Sequence, residues 1–155
     1  MKLGYRVQGI GFIILLIMVL TSCASFKAQA PNNFAEYDDT SSNIFKAISP
    51  DGVLYRVTAY EQESQATTEF WREAFLLKMK NANYKQEEAL NIKVNGQPVV
   101  AYIFSFANSA GSDLYLVVAI PHKKEMIVVE ATAESAKFNA RKADILNAIG
   151  KINFN

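Results

Sequence analysis

The sequence predicts an α+β fold: an antiparallel sheet of about six strands with two helices, in the order ββ-α-ββββ-α. Three observations carry this expectation. Short alternating apolar segments are separated by strong turn signals, "PDG" at 50–52 and "NG" at 95–96. The apolar period lengthens from two to about 3.6 over 67–81 and again toward the end of the chain. Two strand candidates are apolar on both faces, so the sheet needs cover on both sides, and consecutive hairpins make it antiparallel.

The first 22 residues stand apart from that fold. "MKLGYRVQG" carries two positive charges and no acid, an apolar run fills 10–20, and "LTSC" follows, ending at Cys23. A basic start, a short apolar core and a small-residue exit are the parts of an export signal. The run is shorter than the ~20 residues that span a bilayer, so it is a poor permanent anchor. "LTSC" resembles the lipobox of bacterial lipoproteins, which implies cleavage ahead of Cys23 and fatty chains on its sulfur and amine. Two or three acyl chains hold a protein firmly where one holds it marginally. A conventional signal peptide with an incidental cysteine, or an uncleaved membrane helix over 7–24, are the competing readings. In Gram-negative lipoproteins an aspartate directly behind that cysteine resembles an inner-membrane retention signal. Its absence here favours the outer membrane, facing the periplasm, in such a host.

The expected division is therefore a signal peptide at 1–22, a flexible tether at 23–42 and a single α+β domain at 43–155. The tether segments "KAQAPNN" and "YDDTSS" are polar and turn-prone, and so unsuited to burying a face. A free spacer of that length would hold the domain some 20–25 Å from the membrane. Phe34 and Tyr37 interrupt its polarity and are candidates for docking on the domain.

Within the domain, strands are expected near 44–48 and 53–60, joined by Pro50-Asp51-Gly52, which presets a tight turn. A helix follows over about 67–81. Phe70, Ala74 and Leu77 form its apolar stripe, widened by Trp71, Phe75 and Met79. Thr67 or Thr68 suits the N-cap, Glu69 the first turn and Lys78 and Lys80 the last, with Asn81 or Asn83 as a left-handed stop. Four strands come next. The first carries Leu90, Ile92 and Val94, and Asn95-Gly96 turns it into "PVVAYIFSFA". "LYLVVAI" and "MIVVEATA" complete the sheet, and the first of these reads as central, as does "PVVAYIFSFA". A second helix from 135 or 136 to 149 places Phe138, Ile145 and Ile149 on one stripe, Leu146 beside it and Gly150 at the stop.

Composition excludes several functions. The chain has 155 residues, with 16 basic and 15 acidic side chains; removing Lys2 and Arg6 leaves 14 basic ones after the leader. A near-neutral, interspersed surface lacks the clustered basic face that nucleic acid requires. His122 is the only histidine and Cys23 the only cysteine, so a metal site or a histidine-based triad has no ligand set to draw on. His122, in the turn-like "PHKKE", reads as a solvated loop residue. No catalytic, cofactor-binding or metal-binding residue is expected, and the chain is not expected to be an enzyme.

Glu130 lies inside an apolar strand. On an edge strand it would be solvated; buried, it would be a candidate ligand contact, with Arg56 across the sheet as its partner. Phe70, Trp71 and Phe75 read first as core, second as a patch that docks another protein. Lys123 and Lys124 read as a solvated turn, with anionic head groups as the alternative contact.

"SPDGVLYRV", "EFWREAF" and "IVVEATAE" resemble the PsbP-like proteins, a sandwich of antiparallel sheet and helices, and small envelope lipoproteins that open on an "SPDG" hairpin. The resemblance covers 44–154, implies the fold and leaves the role open. The functional expectation is a lipid-anchored envelope module for protein interaction or assembly, with an envelope protein as partner. The alternative is a small-molecule or lipid-binding domain with a pocket between sheet and helix.

Overall fold

In the computed structural model the described residues are 25–37, 43–62, 67–108 and 111–155. Their elements are β1 (Phe26–Lys27), β2 (Ala35–Glu36), β3 (Ile44–Ile48), β4 (Leu54–Glu61), α1 (Thr68–Asn81), β5 (Lys85–Val94), β6 (Gln97–Asn108), β7 (Gly111–His122), β8 (Glu125–Glu134), α2 (Ser135–Gly150) and β9 (Asn153–Phe154). Seven strands form one antiparallel sheet in the order β2-β3-β4-β8-β7-β6-β5, and β1 pairs with β9. The α+β expectation is met. Among the described residues no helix is long and apolar enough to cross a membrane.

Local chemistry sets the turns. Asn95 and Gly96 both take positive φ, 49° and 79°, between the paired Val94 and Gln97. Two positive φ values make the turn whose twist matches a right-twisted hairpin. At the first hairpin Gly52 takes φ 89°, and the Ser49 hydroxyl accepts a 2.8 Å bond from the Val53 amide.

β5 to β8 run as a meander. α1 carries the chain from β4 across to β5 at the sheet's edge, and β4 pairs with β8, from Leu54 opposite Thr132 to Glu61 opposite Glu125. β8 is thus fourth of seven strands. This corrects the placement of Glu130 on a sheet edge: the first hairpin returns to cover the strand that ends the meander.

One face of the sheet, the core face, presents Tyr55, Val57, Ile103, Leu116, Val118, Ile127 and Val129, all buried. α2 covers it with Phe138, Ile145, Ala148 and Ile149. Phe138, Ile145 and Ile149 each contribute roughly 1.5–3 kcal/mol by leaving water. α2 therefore lies on the stripe that its sequence period marks.

The segment expected to be a free spacer is partly docked. Phe26 is buried in the core-face cluster, and Ala28, Ala30 and Phe34 pack beside it. The Asn155 amide donates to the Ser25 carbonyl at 3.0 Å. Three or four apolar side chains at intervals in a polar segment are enough to fix it where a sheet margin is left bare.

α1 departs from its expected orientation. Trp71, Phe75, Leu76 and Met79 turn toward the sheet, while Phe70 and Leu77 are 55% and 59% exposed. Both stripes are apolar, and propensity alone does not choose between them. The sheet offers Phe104 and Val117 as sockets, with Tyr84 just ahead of β5 beside them, and Phe75 meets Phe104 edge-to-face at 5.8 Å. The ends follow the sequence: Thr67 Oγ1 accepts from the Phe70 amide at 3.2 Å, and Asn83 takes φ 61° past the last turn.

Candidate functional site

α1 covers only part of the outer face, over β6, β7 and the near side of β8. The outer face of β3 and β4 is left open. There Tyr37, Ile48, Leu54 and Tyr60 are among the exposed large apolar side chains, between 37% and 50%. Tyr37 and Leu54 border one basin on this face, whereas Tyr60 lies six residues along β4, beside α1.

A polar cluster lines that basin. Arg56 and Glu130 are register partners across β4 and β8. Arg56 Nε and Nη2 donate to Glu130 Oε2 at 2.8 and 2.5 Å, and the Tyr115 hydroxyl of β7 donates to Oε1 at 2.7 Å. Three adjacent strands thus supply one side chain each. The strand pleat makes this possible, because alternate residues share a face and diagonal neighbours lie within reach of long side chains. The hydrogen bond to Glu130 raises the Arg56 pKa. Burial, and then donation to Glu130, push the Tyr115 hydroxyl well above its ordinary value.

Three of the roughly four acceptor positions of the Glu130 carboxylate are taken, two by Arg56 and one by Tyr115, so Glu130 fixes the arginine in place. Arg56 uses two of its five N–H groups on Glu130, and its side chain is 47% exposed. The remaining donors are held in one orientation, at the floor of a shallow basin of ≈ 380 Å³ walled by Tyr37, Leu54 and Tyr115.

A second concavity runs beneath α1. On one side it holds ≈ 240 Å³ between Arg72, Val100, Tyr102 and Pro121; on the other it holds ≈ 420 Å³ between Tyr60, Lys78 and Val128. Trp71, Phe75, Val117 and Met126 line both. The Trp71 indole N–H and the Gln62 amide nitrogen are buried here without a hydrogen-bond partner among the described residues. Such an orphan donor costs about 1–3 kcal/mol until an acceptor reaches it.

The sequence candidates fall as follows. Cys23 and the leader lie outside the described residues. His122 ends β7 rather than standing in a loop, stacks on Phe154 at 4.7 Å, and has Nε2 3.4 Å from the Asn155 carbonyl. Lys123 and Lys124 form the exposed β7–β8 turn. Arg56 and Glu130 meet, as the sequence suggested. Trp71 and Phe75 face the groove, and Phe70 does not. Sequence reasoning missed Tyr115, Gln62 and the exposure of Leu54 and Tyr60. Leu54 did leave a signal, as an apolar residue on the polar side of the alternating strand "VLYRVTAYE".

No protein-family model and no curated protein sequence matches this chain. Solved structures do. The cyanobacterial PsbP protein CyanoP of Synechocystis superposes with a TM-score of 0.60 at 12% identity, over 86% of this chain and 89% of that one. LpqN of Mycobacterium tuberculosis, described as involved in cell envelope biogenesis, gives 0.58 at 11%, over 84% and 83%. The Ran-binding protein Mog1p of Saccharomyces cerevisiae gives 0.52 at 13%, over 84% and 90%. At such identities the likeness establishes architecture, and the architecture of this chain is PsbP-like.

Proposed function

We propose that the chain is a lipid-anchored, non-enzymatic module of the cell envelope that docks a protein partner on the uncovered part of its outer face. The observation that carries this reading is a basin floored by Arg56, which Glu130 and Tyr115 hold in place, with Tyr37, Leu54 and Lys46 around it and Ile48 and Tyr60 exposed on the same face. An apolar rim around an oriented arginine suits a partner that presents apolar side chains beside a carboxylate or carbonyl. LpqN is named for cell envelope biogenesis and Mog1p for Ran binding, so one neighbour agrees with an envelope setting and the other with protein binding. The lipobox-like "LTSC" supports the anchor, and in a Gram-negative host the absence of an aspartate directly behind Cys23 favours the periplasmic side of the outer membrane.

The test is photo-crosslinking in intact cells, with benzoyl-phenylalanine at Tyr60 and, as control, at Lys137. A discrete adduct from position 60 that weakens in Arg56→Lys is expected. Identical adducts from both positions, or none at 60, would end the reading.

The groove beneath α1 favours a second reading, a small apolar ligand with an acceptor group that meets the Trp71 and Gln62 donors. Native mass spectrometry of the purified protein separates the two, since only the second leaves a retained mass that Trp71→Phe diminishes.

A further inference from the structure

We propose that the end of the domain bearing the β7–β8 turn lies flat against a bilayer rich in anionic head groups, with no spacer between. The proposal rests on the lipid-anchor reading of Cys23 and adds an orientation and a contact surface to it.

Two residues of chain, at most about 7 Å, separate Cys23 from Ser25. From Ser25 onward the chain is held: the Asn155 amide donates to the Ser25 carbonyl at 3.0 Å, and Phe26 is 5% exposed. A cysteine whose acyl chains enter the membrane therefore brings Ser25 into the head-group region. Its neighbours come with it. The Asn155 carbonyl accepts from the Lys123 ammonium, which places the β7–β8 turn beside Ser25. The sheet register sets the rest of this end. Ala101 pairs with Val118, so the turn at Asn95-Gly96 projects in the same direction as the turn at Lys123-Lys124. The last turn of α2, at Gly150, lies against the Lys93 backbone.

Charge is distributed to match. Lys27, Lys93, Lys124 and Lys151 are exposed at this end, with Lys123 beside them. Among the described residues the facing acids are Glu61 and Glu125, which oppose each other across β4 and β8, and Glu69 in the first turn of α1, which is paired with Arg72. At the opposite end Asp113 pairs with Glu134, and Asp51 lies 3.4 Å from Arg141. Among the described residues the surface nearest the anchor thus carries more lysines than acids, whereas at the far end the charges pair off, Asp51 with Arg141, Glu134 with Lys137 and Glu87 with Lys85. Lysines within a Debye length of an anionic leaflet are drawn to it, and five on one surface resist tilting of the domain.

The experiment uses the full lipidated protein in vesicles containing one third anionic lipid. Nitroxide labels are placed at Lys124→Cys and, some ten residues of β8 away, at Lys137→Cys. A nickel chelate on the lipid head groups reads proximity, and mass spectrometry of the amino-terminal peptide reads the lipid on Cys23. Relaxation enhancement at 124 several-fold above that at 137, reduced in a Lys93→Glu/Lys151→Glu background, is the expected result. Lipid on Cys23 with equal enhancement at both sites overturns the orientation and leaves the anchor standing. Absence of lipid on Cys23 overturns both.

Discussion

Arg56 and Glu130 stand directly opposite each other on β4 and β8, and the carboxylate takes a third hydrogen bond from Tyr115 on β7. The pair is partly solvated, with side chains 47% and 18% exposed. Solvent therefore screens it, and its coupling belongs between the surface and buried extremes. A double-mutant cycle of Arg56→Met and Glu130→Gln should give about 1 kcal/mol of coupling. Each single variant should lower Tm by roughly 3–5 °C. Coupling below about 0.3 kcal/mol would show that the arginine is held by something else.

The same cluster sets an alkaline limit. The Tyr115 pKa is raised in the folded state, by burial first and by donation to Glu130 second. A raised folded pKa contributes stability that is fully present below the unfolded value of 10 and is lost as pH rises toward the folded one. The urea midpoint of the natural chain should therefore fall above pH 10, and its advantage over Tyr115→Phe should shrink between pH 8 and pH 11. Glu87 runs the other way. The Ser105 hydroxyl at 2.6 Å, and then Lys85, lower its pKa below 4.5. Its stabilisation is present above pH 4.5 and lost as pH falls through the lowered value, so Glu87→Gln should flatten the acid limb of the same titration.

The orientation of α1 is open to a direct comparison. Phe75 packs on Phe104 at 5.8 Å, whereas Leu77 is 59% exposed. Phe75→Ala should cost about 2–3 kcal/mol, and Leu77→Ala should stay within about 0.5 kcal/mol. Chemical denaturation measures both. The reverse order would put the 70/74/77 stripe on the sheet.

That comparison marks the border between what the sequence shows and what only the fold supplies. Asn95-Gly96, Pro50-Asp51-Gly52, the Thr67 cap and the stripe of α2 act within a few residues of themselves, and all are readable in the chain. The facing stripe of α1 is not, because Phe70-Ala74-Leu77 and Trp71-Phe75-Met79 are equally apolar and the sheet sockets Phe104 and Val117 lie about thirty and forty residues downstream. Glu130 shows the same limit. The suggestion that Arg56 pairs with it holds, but the burial of its strand depends on the long-range return of β4 to β8. Tyr115 and the open outer face depend on how much of the sheet α1 spans, which no local pattern encodes.

The docked amino-terminal segment gives the last prediction. β1 is two residues long and, among the described residues, pairs only with β9, so backbone bonding alone would leave it among the first parts of the domain to open. Phe26 supplies what the ladder lacks, since its ring is buried with the core-face cluster. Phe26→Ala removes roughly 2 kcal/mol of burial from this one contact. The effect should be local, because the α2 stripe and the meander remain intact. Amide exchange at Asn155, whose N–H bonds to the Ser25 carbonyl, should accelerate by about thirtyfold while exchange in the middle of β8 changes little. Unchanged protection at Asn155 would mean that the segment is fixed by something other than this ring. Acceleration would identify Phe26 as the residue that turns a polar stretch of chain into a short, stiff link, because without it the segment as far as Phe34 would revert to the free spacer that its composition describes.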